Sequence, residues 1–170
     1  MEGKKRREVI AEQLKTAQKP ISASKFAQQF AVSRQIIVGD IALMRASGLE
    51  IKATARGYLL QEKRHGKLGK IVVQHDASRT NEELNLIVQN GGEVVDVIVE
   101  HEIYGELTGN LQIKTPADVA AFMKKYQQSN ASLLSELTNG IHLHTIAYEK
   151  DEDFVNIKNA LAKAGILYQE

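Results

Sequence analysis

The sequence predicts an α+β protein in two parts: three helices and a hairpin, then an α/β open sandwich with a mostly antiparallel sheet. Three observations carry this. Residues 1–70 hold 15 Lys/Arg against 6 Asp/Glu, a balance of +9, and residues 71–170 hold 7 against 15, a balance of −8, while the whole chain carries +1. Up to residue 60 the apolar residues mostly recur at helical spacing. From Lys70 onward, short apolar strands alternate with helices. The division predicts domains at 1–62 and 63–170, joined through the polar, basic stretch Gln61–Lys70 with Gly66 and Gly69. His65, beside Arg64, reads there as a solvated linker histidine. The basic part would attract a polyanion; the acidic part would not, and must do something else.

In the basic part, Lys5 to Ala17 places Val9, Ile10, Leu14 and Ala17 along one helix face, and Lys19-Pro20 ends it. Ser22 and Ser24 offer N-cap oxygens to a short helix carrying Phe26, Ala27 and Phe30. Ser33 caps a third helix running to about Ser47, with Ile37, Ile41 and Met44 inward and Gly48 placed to stop it. Glu50 to Ala55 and Tyr58-Leu59-Leu60 then read as strands about an Arg56-Gly57 turn. Helices and hairpin in this order make a winged helix-turn-helix. Its third helix would enter the major groove of an operator in double-stranded DNA, with Ser33, Arg34 and Gln35 near base edges and phosphates. Lys52 and Arg56 on the wing would reach backbone or minor groove, and Arg45 a phosphate. Lys4, Lys5, Arg6 and Arg7 would add sequence-independent attraction. The set Val32-Ser33-Arg34-Gln35, Asp40-Ile41, Leu49 and Arg56-Gly57-Tyr58 resembles the N-terminal domain of many bacterial repressors. Gly39 departs from that pattern. Inside a helix it costs roughly 1 kcal/mol relative to Ala and offers no side chain to DNA.

In the acidic part, Ile71-Val72-Val73 is a short strand ending at His75. Asn81 to Gln89 is a helix with Leu84, Ile87 and Val88 inward, stopped by Asn90-Gly91-Gly92. Glu93 to His101 and Glu106 to Lys114 are strands about Tyr104-Gly105. Thr115-Pro116-Ala117-Asp118 opens a helix with Pro at its first position, with Val119, Phe122 and Met123 inward. Leu133 to Leu137 is a short helix or loop. The strand with His142-Leu143-His144 follows, then a helix from Asp151 to Ala164, and Ile166-Leu167-Tyr168 as a last strand.

Five histidines, no cysteine and no tryptophan limit the chemistry. Disulfides, thiolate metal sites and a cysteine nucleophile are excluded. No long apolar segment follows the basic N-terminus, which predicts no signal peptide and no membrane span. A cysteine-free chain of this kind fits the cytoplasm. On a strand, residues i and i+2 share a face, so His142 and His144 aim two imidazoles at one point. His75 at a strand end and Glu83 in a helix's first turn could join them, and imidazoles with a carboxylate suit Zn²⁺, Ni²⁺ or Fe²⁺. Thr80-Asn81-Glu82-Glu83 also spells a capping box, in which Glu83 would bond back to the Thr80 N–H. The histidine pair could equally line a polar sheet face.

The runs His75 to Glu83, Asn90-Gly91-Gly92 to Glu100-His101, Tyr104-Gly105-Glu106 and Gly140 to Thr145 closely resemble the three-histidine domain. That domain follows a winged helix in the nicotinate-responsive repressors of NAD metabolism, the NiaR type. The resemblance spans nearly the whole chain. It implies a divalent metal, nickel or zinc, at His75, Glu83, His142 and His144. It also implies nicotinic acid as co-repressor, acting on the same domain. His101, with Tyr104, is left between effector binding and orientation of the site. The expectation is a non-enzymatic repressor of NAD biosynthesis or niacin uptake genes, acting as a homodimer on a palindrome. A metal-dependent hydrolase, a metal-responsive repressor without an organic effector, and a protein-binding adaptor are the rivals.

Overall fold

The computed structural model describes residues 2–60 and 66–169. The chain divides into two compact units, Met1–Arg64 and His65–Glu170. The reading of His65 as a linker residue lies outside the described residues.

In the first unit, helices α1 (Gly3–Thr16), α2 (Ala23–Phe30) and α3 (Arg34–Ala46) precede strands β1 (Ile51–Thr54) and β2 (Gly57–Leu60). The caps are where serine chemistry places them. Ser22 Oγ accepts from the Lys25 N–H at 3.1 Å and Ser33 Oγ from the Ile36 N–H at 3.3 Å. Ala31, at φ 53°, reverses the chain between α2 and α3. Ile10, Leu14, Phe26, Ile37, Ile41 and Met44 close a single core.

Two details depart from the sequence reading. Arg6 is not part of a solvated basic cluster: it is 9% exposed, and its Nε donates to Asp40 Oδ2 at 2.6 Å. Arg7 reaches the other oxygen of Asp40 at 3.2 Å. A carboxylate on the inner face of α3 is tolerated only when paired, and α1 supplies the pair. The hairpin turn also falls one residue earlier than expected. Thr54 pairs with Gly57, so the turn is Ala55-Arg56. Ile21 and Tyr58 exchange backbone hydrogen bonds of 2.9 Å, an isolated bridge that ties the segment before α2 to the two-stranded wing. Gly57 sits against that segment at φ 135°, where a Cβ would fall 2.4 Å from the Ile21 carbonyl.

The second unit holds β3 (Lys67–Gln74), α4 (Thr80–Gln89), β4 (Glu93–His101), β5 (Gly105–Ile113), α5 (Pro116–Gln128), β6 (Ile141–Tyr148) and α6 (Asp151–Lys163). Its sheet runs β3-β6-β4-β5 with every neighbouring pair antiparallel. The strand β3 begins at Lys67, inside the stretch read as a connector. Its polar start was misleading because Lys67 and Lys70 are exposed while Gly69 lies under the Phe154 ring. Ile87, Ile146 and Ile157 pack around Gly92, so α4 and α6 cover the face that carries His142 and His144. Residues 134–138 form a 3₁₀ turn. Ile166-Leu167-Tyr168 makes an isolated bridge to the edge of β3, Val73 with Leu167, in place of the expected full strand.

Candidate functional site

The capping box that the sequence offers at Thr80, as the alternative to metal ligation by Glu83, does not form. A 3₁₀ turn over Ala77–Arg79 precedes α4, its own cap being Asp76, whose side chain accepts from the Ser78 N–H. Thr80 is therefore already helical, and α4 begins with no side-chain cap. Glu83 is released from the backbone and turns toward the sheet.

Three histidines meet it. His75 Nε2 contacts Glu83 Oε2. His144 Nε2 lies 2.6 Å and His142 Nε2 3.3 Å from Oε1. The four side chains are 1–3% exposed. The rings of His75 and His142, and those of His142 and His144, meet edge to face at 4.9 and 4.8 Å. His75, Glu83 and His142 each offer a ligand atom within 4.8 Å of the others, and His144 closes the group through Glu83.

The far side of each ring fixes its chemistry. His75 Nδ1 lies 2.7 Å from the Asp76 carbonyl, His142 Nδ1 2.8 Å from that of Gly140, and His144 Nδ1 2.7 Å from that of Asp96. A carbonyl oxygen only accepts, so each Nδ1 carries the proton. In a neutral imidazole Nε2 is then a bare lone pair. Three lone pairs and a carboxylate thus face one another out of water. Among the described residues, neither Glu83 Oε1 nor His144 Nε2, both buried, has an aligned hydrogen-bond partner. Such a group of acceptors requires a positive charge among them, and imidazole nitrogens with one carboxylate suit a divalent transition metal. These residues fit that ion.

The titration of the group reflects the same need. Burial alone would lower the pKa values of His75 and His144, but the hydrogen bonding and charge of Glu83 outweigh it and hold both above the usual 6.5. Burial would raise Glu83, but the charge of His144 and the close approach of His142 and His75 hold it well below the usual carboxylate range.

Backbone detail makes this convergence possible. Gly140, at φ 86°, lies so close to β3 that a Cβ would stand 2.4 Å from the His75 carbonyl. In β4 the ladder slips between Val94 and Ile98, within which Asp96 falls. The Asp96 carbonyl is thereby turned to His144, and its carboxylate accepts from the Thr145 N–H at 2.9 Å. Neither the orienting carbonyls nor Asp96 was identified from sequence; no residue pattern marks a bulge of this kind.

Beside the cluster is a pocket, partly open to solvent, lined by Glu83, His142 and His144 at one end and walled by Val97, Leu111 and Phe122. His101 and Tyr104 do not line it. They stand at the β4–β5 turn, where His101 Nδ1 accepts from the N–H groups of Ile103 and Tyr104 at 3.1 and 3.3 Å. Their rings lie 5.1 Å apart, and Tyr104 is 73% exposed.

In the first unit, Ser33, Arg34 and Gln35 are exposed at the start of α3. Ile36 beside them, 44% exposed, was not singled out from sequence. Lys52 and Arg56 are partly buried on the wing. Arg45 is exposed, but its Nε is engaged by the Ile51 carbonyl at 2.7 Å. Gly39 faces open space.

Comparison with known proteins agrees with both units. An HTH domain family matches residues 6–59 and the 3H domain family matches residues 69–170. The probable transcription repressor NiaR of Thermotoga maritima is 38% identical over 157 residues, covering 92% of this chain and 90% of that protein. The transcription repressor NadR of Bacillus subtilis is 38% identical over 172 residues, covering 99% and 96%. The chain belongs to the NiaR and NadR family of transcription repressors. As a NiaR-type repressor with a helix-turn-helix domain, it acts on DNA. Among the described residues, no helix is long and apolar enough to cross a membrane.

Proposed function

We propose that this repressor controls NAD biosynthesis or niacin uptake genes, that nicotinic acid is its co-repressor, and that a nickel or zinc ion at His75, Glu83, His142 and His144 forms part of the effector site. The observation that carries the proposal is the convergence of three proton-anchored imidazoles on a buried carboxylate, at the end of a pocket whose other walls are mostly apolar. Bound there, the ion would supply a positive charge to which an effector carboxylate can coordinate. His75, His142 and His144 hold their bare Nε2 atoms toward that point. Val97, Leu111 and Phe122 would give a flat ring apolar walls. The pocket supports an effector seat better than the exposed His101–Tyr104 pair, which offers an outer contact at most.

On DNA, Ser33, Arg34 and Gln35 read bases or phosphates from α3, with Lys52, Arg56 and Arg45 as backbone contacts. The protein works as a cytoplasmic homodimer, whose two recognition helices must be spaced by about 34 Å or a multiple of it. Nicotinate can favour DNA binding only by binding more tightly to the arrangement that meets this spacing.

Titration calorimetry with nicotinate, on protein of measured metal content, tests the reading. Metal-loaded protein should bind nicotinate, and metal-stripped protein or His142→Ala should not. Equal binding by all three would remove the metal from the effector site; no binding by any would remove the effector.

A further inference from the structure

Thr80 opens α4 one turn before Glu83, and residues three apart on a helix share a face. It is 6% exposed, and its Oγ1 is buried with no hydrogen-bond partner among the described residues. Such a group is expensive to leave unmatched. Two ordinary uses of a threonine at a helix start are closed to it. It is not the N-cap, because its own backbone is helical at φ −60° and ψ −43°. Nor is the carbonyl four residues back available, since the Asp76 oxygen already lies against His75 Nδ1 and accepts from the Arg79 N–H. Thr80 is one of the residues that line the pocket, together with Glu83, His142 and His144.

We propose that the Thr80 hydroxyl recognises the effector by donating to the ring nitrogen of a flat heteroaromatic acid, whose carboxylate points toward the histidine–Glu83 cluster. This rests on the effector reading above and adds the residue that decides which acid is accepted. The remaining walls are mostly apolar and would take a benzene ring as readily as a pyridine ring. A buried donor that must be matched discriminates against the ring without an acceptor. Thr80 therefore sets selectivity, while the cluster sets affinity for the carboxylate.

The test uses zinc-loaded full-length protein, with nicotinate and benzoate as probes, titrated into wild type, Thr80→Val and Thr80→Ser. Valine keeps the shape and removes the hydroxyl; serine keeps the hydroxyl. Zinc content is measured for each, so that loss of the cluster is not mistaken for loss of the donor. Wild type should prefer nicotinate over benzoate by about tenfold or more. Thr80→Val should lose that preference by weakening nicotinate alone, and Thr80→Ser should restore it. Unchanged nicotinate binding in Thr80→Val, or an equal loss of both acids, would overturn the role given to Thr80. Failure of wild type to bind nicotinate would instead overturn the effector reading, and this inference with it.

Discussion

His144 donates through Nδ1 to the carbonyl oxygen of Asp96 at 2.7 Å, 48 residues away in the chain. That bond fixes which nitrogen of His144 is bare and where it points. The Asp96 carboxylate secures the arrangement by accepting from the Thr145 N–H on the same strand. Asp96 therefore positions a ligand without touching the ligand site itself. Asp96→Ala should leave all four ligands in place and still weaken zinc binding by about 10–100-fold. Competition against a chelating dye measures this; unchanged affinity would remove the positioning role.

The proton competes with the metal for the same cluster. His75 and His144 titrate above their usual 6.5, so in the metal-free protein their contribution to stability is complete below that value and fades as pH rises through the folded values. Glu83 titrates well below its usual 4.5, so its contribution is present above that value and is lost only in stronger acid. The metal-free fold should thus gain most from the cluster between those two values. A bound cation replaces the protons, so the rise in Tm on adding zinc should grow steadily from pH 6 to pH 8. Paired thermal melts check the trend; a rise independent of pH would contradict it.

Asp40 ties the recognition helix to α1. Its carboxylate is 4% exposed and held by Arg6 and Arg7. Arg6→Ala leaves a buried charge poorly matched and should destabilise the first unit by about 3–5 kcal/mol. Asp40→Asn should cost less, because the amide oxygen can still accept from the Arg6 Nε–H and so keeps its guanidinium hydrogen-bonded. Denaturant melts followed by far-UV circular dichroism compare the two, and equal costs would argue against the pairing.

At the DNA surface, Arg34 and Lys4 should behave differently. Both are exposed, but Arg34 begins α3 and Lys4 lies in the first turn of α1. Arg34→Ala should cost about 1–3 kcal/mol on the operator and relax its sequence preference. Lys4→Ala should weaken all DNA alike and reduce the salt dependence by about one phosphate contact. Anisotropy titrations at several salt concentrations separate these effects.

Much of this was legible in the sequence. Ile37, Ile41 and Met44 lie inward because helical spacing puts them on one face, and His142 and His144 converge because a strand alternates. What escaped depends on partners distant in the chain. Arg6 looked like a solvated cation because its partner, Asp40, is 34 residues away. Thr80 looked like an N-cap because nothing in its neighbours announces the 3₁₀ turn that moves the helix start past it. The Asp96 carbonyl is available to His144 only where the β4–β6 ladder slips, and a slip in register leaves no residue pattern.

Footprinting tests the central claim, that the histidine–Glu83 cluster couples nicotinate to DNA binding. Purified protein of known metal content is applied, at one salt concentration, to DNA upstream of NAD synthesis and niacin uptake genes from its own genome. Metal-loaded wild type should protect a site strongly with nicotinate and weakly without it, while His142→Ala should show the weak pattern under both conditions. Protection that ignores nicotinate in wild type, or that survives unchanged with nicotinate in His142→Ala, would contradict the account.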